Sequence, residues 1–462
     1  MALPVACSEL LVTKPTLSPQ QRTILEESSR AKLASVFEHL RAHLKRQRWI
    51  GNNNTYRKRV VDALKRDSKS GATISHSHLN QYIAASAPLH CADGWSYLGR
   101  AIQAHVRGDA DAARHLGYYS ELRAAVSILA SEGVGVFNRQ HFVVDSDGIC
   151  RRIPNELGTH VFTSLALEHW ANQDPSADLL GVIVAPGGVS LPDWLEGFQA
   201  KPNLYPIGTS LLKAWGIDLR RLADDRADRN EASYRPTGLS VRDNLTATDC
   251  CQFLRELWWM MQPSAESRFE ILDRHLLREI LGHAFKSLVG KTATDDPAGF
   301  RDRVVTMVEH AQPSGMPQSE WVDFLTRLVE PKTPQIILEA SGRLRIGAPK
   351  HHLQVLARAT LLLRVAAGAS SQLLGKSSFG SDELEFWWKP LGEARGLWPP
   401  DSEPDEIVDL WADVEQALVD LQAWADTGTS GQLSHWDLAT HQSPAISVLS
   451  GCERIALWGL GL

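Results

Sequence analysis

Residues 108–133, GDADAARHLGYYSELRAAVSILASEG, constrain the fold more than any other stretch of this chain. Asp109 or Asp111 can cap a helix start, because a short carboxylate accepts from the free N–H groups of the first turn. Gly133 can end the helix in the left-handed conformation that a Cβ disfavours. Between these signals Tyr118, Leu122, Ala125 and Leu129 recur at helical spacing, and Tyr119 and Val126 widen the stripe.

The same signature returns along the chain. Ser18-Pro19 opens one helix, with Ser18 as cap and Pro19 in the first turn. Helical patterns continue through THVFTSLALEHWANQ, GTSLLKAWGIDLRRLADDRADRNEASY, SRFEILDRHLLREILGHAF and APKHHLQVLARATLLLRVAAG. Another, EIVDLWADVEQALVDLQAWAD, is apolar at Ile407, Leu410, Trp411, Val414, Leu418, Leu421 and Trp424. Two segments read instead as β-hairpins. HFVVDSDGICRRI (141–153) places Ser-Asp-Gly between β-prone runs, and PQIILEASGRLRIG (334–347) places Ser341-Gly342 there. The expectation is a mainly α protein of multi-helical bundle subdomains with two small β-hairpins inserted. Breaks in the pattern suggest an N-terminal helical region over 1–80, a helical domain with a hairpin over 81–245, a middle region over 246–345 and a C-terminal region over 346–462.

Several chemistries drop out. LVGKT (288–292) lacks the glycine at 285 that a phosphate loop needs, because Phe285 stands there. No GxGxxG follows a strand, no GxSxG elbow occurs, and the histidines make no HExxH. The sequence implies no cofactor and no metal ligands. The six cysteines form no CxxC pair and read as reduced thiols of a cytoplasmic protein. The apolar run LARATLLLRVAAGA is broken by Arg358 and Arg364, so no membrane partner is expected. Net charge is -6. The whole chain is therefore no electrostatic magnet for nucleic acid, although RAHLKRQRW and YRKRVVDALKR are locally basic.

One charged run stands apart: LRRLADDRADRNEASYRP, residues 219–236. Asn230 and Tyr234 lie four apart and share a helix face. Arg229 lies about 140° from Tyr234 on a regular helix. In a plain structural reading Arg229 pairs with Asp225 on the surface and Tyr234 packs its ring on the core. RNEASY also resembles the Arg-Asn-x-x-x-His/Tyr signature of HEPN-type domains, and YYSELRAAVSILASEG resembles their first long helix. The resemblance covers roughly residues 80–245. It implies a helical bundle common in prokaryotic RNA-directed defence, with Arg229, Asn230 and Tyr234 as motif positions and Tyr118 and Tyr119 beside them. Family members cleave RNA without metal, using the Arg and a His. Here Tyr234 stands at the His position, and tyrosine with a pKa near 10 is a poor base at neutral pH.

The expectation is therefore a protein that binds RNA or protein partners within a defence-related assembly and is non-catalytic at this motif. Two alternatives stay open. One is a metal-independent ribonuclease using Arg278 with His283 in REILGH, the better of two Arg-x4-His windows (the other is Arg100 with His105 in RAIQAH), or Arg229 and Asn230 with Tyr234. The other is a structural helical adaptor with no role in nucleic-acid binding.

Overall fold

A computed structural model describes residues 15–70, 73–154, 157–198, 208–234, 246–264, 267–327, 333–344, 352–427 and 434–462. The helices that position the site are α1 (Pro19–Glu26), α2 (Arg30–His39), α3 (His76–Val106), α4 (Ala110–Ser131), α5 (Thr159–Ala171), α6 (Asp174–Ile183), α7 (Arg221–Tyr234), α8 (Glu270–Val289), α9 (Gln335–Ser341), α10 (His352–Lys376) and α11 (Glu453–Leu460). Their caps follow the sequence signals. The Ser18 hydroxyl accepts from the Gln21 N–H while the Gln21 side chain accepts from the Ser18 N–H. Asp109 accepts from Ala112 N–H at 3.0 Å, and Gly133 follows α4 with φ +92°.

Three helices form the centre. Contacts between α3 and α4 run in opposite directions: Ser127 donates to the Ala87 carbonyl at 2.7 Å, Ser120 to the Gly94 carbonyl at 2.9 Å, and Tyr119 stacks on Tyr97. The two helices are an antiparallel pair. Helix α10 lies along α4 in the parallel sense, with Arg358 against Glu121 and Ser370 against Ser127. Small residues let these backbones approach. A Cβ on Gly94 would strike the Leu363 side chain, and one on Gly99 the Ser450 carbonyl beside α11.

Helix α10 is buried without interruption from His352 to Ser370. By length and apolar composition it would suit a membrane, yet 94% of its most apolar window is covered by protein. Arg358 and Arg364, which break its apolar run, are themselves buried and paired with carboxylates. Charges inside a protein persist only where such partners hold them.

The first expected hairpin is present. β2 (Phe142–Val144) pairs antiparallel with β3 (Cys150–Arg152), and β1 (Val134–Gly135) adds a third strand to β2. Asp145 accepts from Asp147 and Ile149 N–H groups and closes the turn. The second differs from expectation, since residues 335–341 are helix α9. Ile336, Ile337 and Ala340 all turn into the core, which is helical spacing. Gly342, at φ +74°, ends this helix rather than turning a hairpin. The Arg343–Gly347 half of that segment lies partly outside the described residues.

One contiguous apolar core joins these elements. The region break expected near residue 80 falls within α3. Those near 245 and 345 fall outside the described residues.

Candidate functional site

Helix α7 lies antiparallel on α4, and three contacts one turn apart fix the register. The Arg229 guanidinium lies over the rings of Tyr118, at 5.2 Å, and Tyr119, at 5.5 Å. One turn toward the C-terminus of α7, Ser233 Oγ meets His115 Nδ1 at 2.8 Å. One turn in the other direction, Asp225 and Glu121 converge on Arg358 of α10, at 2.6 Å and 3.4 Å. As residue numbers rise on α7 they fall on α4.

Around Arg229 the structure gathers rings. Tyr119 stacks on Tyr97 of α3, with centroids 5.6 Å apart and planes 24° apart. The Arg100 guanidinium lies over the Tyr97 ring, 4.6 Å from its centroid. His115 leans on Tyr119 at 5.1 Å. His160, near the start of α5, stacks on Tyr118, and its Nδ1 lies 2.8 Å from the Tyr118 hydroxyl. Tyr97, Tyr119, His115, His160 and Arg229 are all half-buried, and Arg100 is exposed. The result is a cluster of planar groups, buried at Tyr118 and half-buried at Tyr97, Tyr119, His115 and His160, with Arg229 and Arg100 lying over its rings. Each such cation–ring contact contributes about 0.5–2 kcal/mol, depending on its desolvation.

Burial and the arginine charges set the protonation of the rings. Burial, then the charge of Arg229, lowers the pKa of His115. Burial, then Arg229 and Arg226, does the same to His160. Both imidazoles are therefore biased toward neutrality at pH 7. Ser233 already donates its proton to the Arg229 carbonyl at 2.8 Å, so His115 must donate to Ser233 through Nδ1–H. That tautomer leaves the His115 Nε2 lone pair free. Burial also holds the Tyr118 phenol protonated. The buried Nε of Arg229 has no hydrogen-bond partner among the described residues.

Beneath this row, two carboxylates share one guanidinium. Burial raises the pKa of Glu121 well above the ordinary value, and the neighbouring Asp225 adds to the shift. Asp225 is thus an inward group that holds α7 to α10, not a surface partner of Arg229.

The sequence-derived residues divide. Tyr118, Tyr119 and Arg229 come together. Asn230 is exposed, and Tyr234, 83% exposed, lies far from the core packing of the plain structural reading. The 140° offset explains it: Arg229 facing inward leaves Tyr234 in solvent. Arg278 and His283 line one groove of about 320 Å³ with Lys286 and Arg343. Glu279 accepts from Arg343 there at 3.0 Å, which offsets part of the positive charge. Arg100 and His105 separate, since His105 is buried against His352 at 2.8 Å. Sequence reasoning missed Tyr97, Arg100 as a ring partner, His115 and His160. His115 sits one turn before Tyr118-Tyr119, a spacing that placed it on the same face. Nothing local marks His160. Among the described residues, no group of three or more His, Cys, Asp or Glu is placed to hold a metal ion.

No protein-family model matches this chain, and neither a curated protein nor a solved structure matches it significantly.

Proposed function

We propose that the face built by α3, α4, α5 and α7 binds single-stranded RNA. The observation that carries this reading is the Arg229 guanidinium lying over Tyr118 and Tyr119, within a row that extends through Tyr97 to Arg100. Bases stack on exposed rings regardless of sequence, and arginines meet the phosphates between them. The resemblance of YYSELRAA and RNEASY to HEPN-type domains favours RNA over DNA, and with it a place in a defence-related assembly. Stacking dominates, because α7 also carries Asp224, Asp228 and Glu231.

The test is fluorescence anisotropy with a labelled uridine 12-mer across a salt series. Two arginine–phosphate contacts give a log–log salt slope of about -1.4. Arg229→Ala and Tyr119→Ala should each weaken binding about tenfold, since a stacked base contributes about 1–3 kcal/mol. Unchanged affinity in both variants would overturn the reading.

A second reading has its own observation. If His160 donates Nδ1–H to Tyr118, its Nε2 lone pair faces outward from that bond, on an imidazole biased toward neutrality beside a cation. Those are the parts for metal-independent cleavage. His160 would take the 2′-hydroxyl proton, the 2′-oxygen would bond to phosphorus as the P–O5′ bond breaks, and the 5′-oxygen would leave as a hydroxyl with a proton from water, to which His160 returns its own. Cleavage that survives chelator, ends in a cyclic phosphate and disappears in His160→Ala would establish it. Binding without cleavage would leave the first reading alone.

A further inference from the structure

A second cavity lies toward the other end of α10 from the Arg229 row. It forms where α6, the start of α8 and α10 meet α11 and the turn Ile407–Asp409. Its volume is about 480 Å³, within the usual range for small-molecule sites. Phe269 and Trp458 are buried in its walls. Val182 and Val408 line it from two separate elements, and they are 54% and 45% exposed. A molecule covering both would take apolar surface out of water.

Charge at the site decides what else that molecule carries. The charged side chains in the lining are Arg364 and Arg268. Arg364 is neutralised by Asp273, whose two oxygens it meets at 3.1 and 2.8 Å. Arg268 has no such partner. It is exposed, and it donates to a neutral acceptor, Ser371 Oγ on α10. No carboxylate among the described residues pairs with it, and burial and then the like charge of Arg364 push its pKa down with no acid opposing them. A guanidinium has five N–H donors, so most of them stay open to a partner from outside. The Ser371 hydroxyl, whose oxygen serves Arg268, has no acceptor for its own proton among the described residues. The cavity therefore presents an accessible, uncompensated cation and a hydroxyl donor beside exposed apolar walls.

We propose that this cavity binds an organic monocarboxylate with an apolar body. Arg268 forks the carboxylate, the Ser371 hydroxyl donates to it, and the body lies against Val182 and Val408. A planar carboxylate matches the guanidinium fork in shape and in charge. An amine would meet a cation of its own sign, and a phosphate dianion would bring two charges to one free cation and no apolar body to the walls.

Saturation-transfer NMR on the full chain at pH 7 tests this with 3-phenylpropionate, its amide and 3-phenylpropylamine, and with inorganic phosphate as competitor. The carboxylate should bind saturably with Kd of about 1 mM, as fragments of that size do. The amide should bind about fivefold more weakly or worse, and the amine not at all. Inorganic phosphate at about tenfold excess should leave the carboxylate signal in place, since it lacks the apolar body. Arg268→Gln should weaken the carboxylate about tenfold and leave the amide unchanged. Arg268→Lys, which keeps the charge and loses the fork, should weaken it about threefold. Should either variant fail to fold, Val408→Asp decides, because it sets a like charge at the exposed wall and should abolish binding. Amide or amine binding as well as the carboxylate, displacement by phosphate, unaltered binding in the folded variants, or no saturable binding of the carboxylate would overturn the proposal.

Discussion

Arg358 and Arg364 stand on one buried helix six residues apart, and they are held differently. Arg364 is closed. It donates to both oxygens of Asp273, at 3.1 and 2.8 Å, reaches the Ile183 carbonyl and lies 4.6 Å from the Phe269 ring. Arg358 is open. It serves Asp225 and Glu121 together, while its Nε and one Glu121 oxygen lack hydrogen bonds among the described residues. One cation with one carboxylate makes a static strut between α10 and α8. Arg358 shares its charge between two carboxylates, and it lies beneath the proposed RNA face. The difference teaches that the same residue on the same helix can serve as a strut or as an adjustable support, depending on how many acids it must satisfy.

The largest test removes each cation. Arg364→Met and Arg358→Met should each lower unfolding stability by about 3–5 kcal/mol, because each strands buried carboxylate. Guanidinium denaturation measures this. At a temperature where both variants stay folded, only Arg358→Met should also lose RNA affinity, since it releases α7. Equal loss in Arg364→Met would erase the distinction.

Removing acids should separate the regions further. Asp273→Asn should cost about 2–4 kcal/mol, because the Arg364 fork loses the carboxylate that neutralises it. Glu121→Gln should fall within about 1 kcal/mol of the parent or stabilise it, because burial and Asp225 already push Glu121 toward its neutral form. A large loss in Glu121→Gln would show that the open triad is as fixed as the closed pair.

Acid should weigh more on the Arg364 side. His275 on α8 is pushed down to about 4 by burial, with Arg278 and Arg274 adding to the shift. The unfolded chain takes that proton nearer pH 6.5, so it binds more protons than the native state between these values. Stability is therefore full above pH 6.5, falls as pH drops toward 4, and loses on the order of 2–3 kcal/mol from this group. Urea midpoints against pH should show that fall shrinking in His275→Asn. The half-buried His160 should contribute less.

The smallest effect belongs to Tyr234. At 83% exposure, Tyr234→Ala should change stability by no more than about 0.5 kcal/mol and leave RNA affinity unaltered. Lost affinity would restore Tyr234 to the site and shift the reading back to the sequence motif.

Much of the fold was legible because its signals are local. Ser18, Asp109 and Gly133 mark helix ends through their own chemistry, and Ser146-Asp147-Gly148 marks a turn. Ile336-Ile337 before Ser341-Gly342 misled for the same reason, since β-branched pairs and a Ser-Gly serve strands as well as helix ends. The site was only partly legible. Arg229 with Tyr118 and Tyr119 followed from two distant segments read together. His160 reaches Tyr118 from 42 residues away, and Asp225 reaches Arg358 from 133, and no spacing rule links them. Arg358 and Arg364 were visible as interruptions of an apolar run, but their partners were not.

The central helix has a consequence for synthesis. α10 meets α3 and α4 across 247 and 243 residues of chain, as His105 with His352 and Ser127 with Ser370. At ribosomal rates of about 5–20 residues per second, the α3–α4 hairpin waits roughly 12–50 s for its third wall. During that interval its trough of alanines and leucines is open to any passing apolar surface. A nascent chain stalled before residue 352 should therefore recruit a chaperone, and release should follow once α10 has been made.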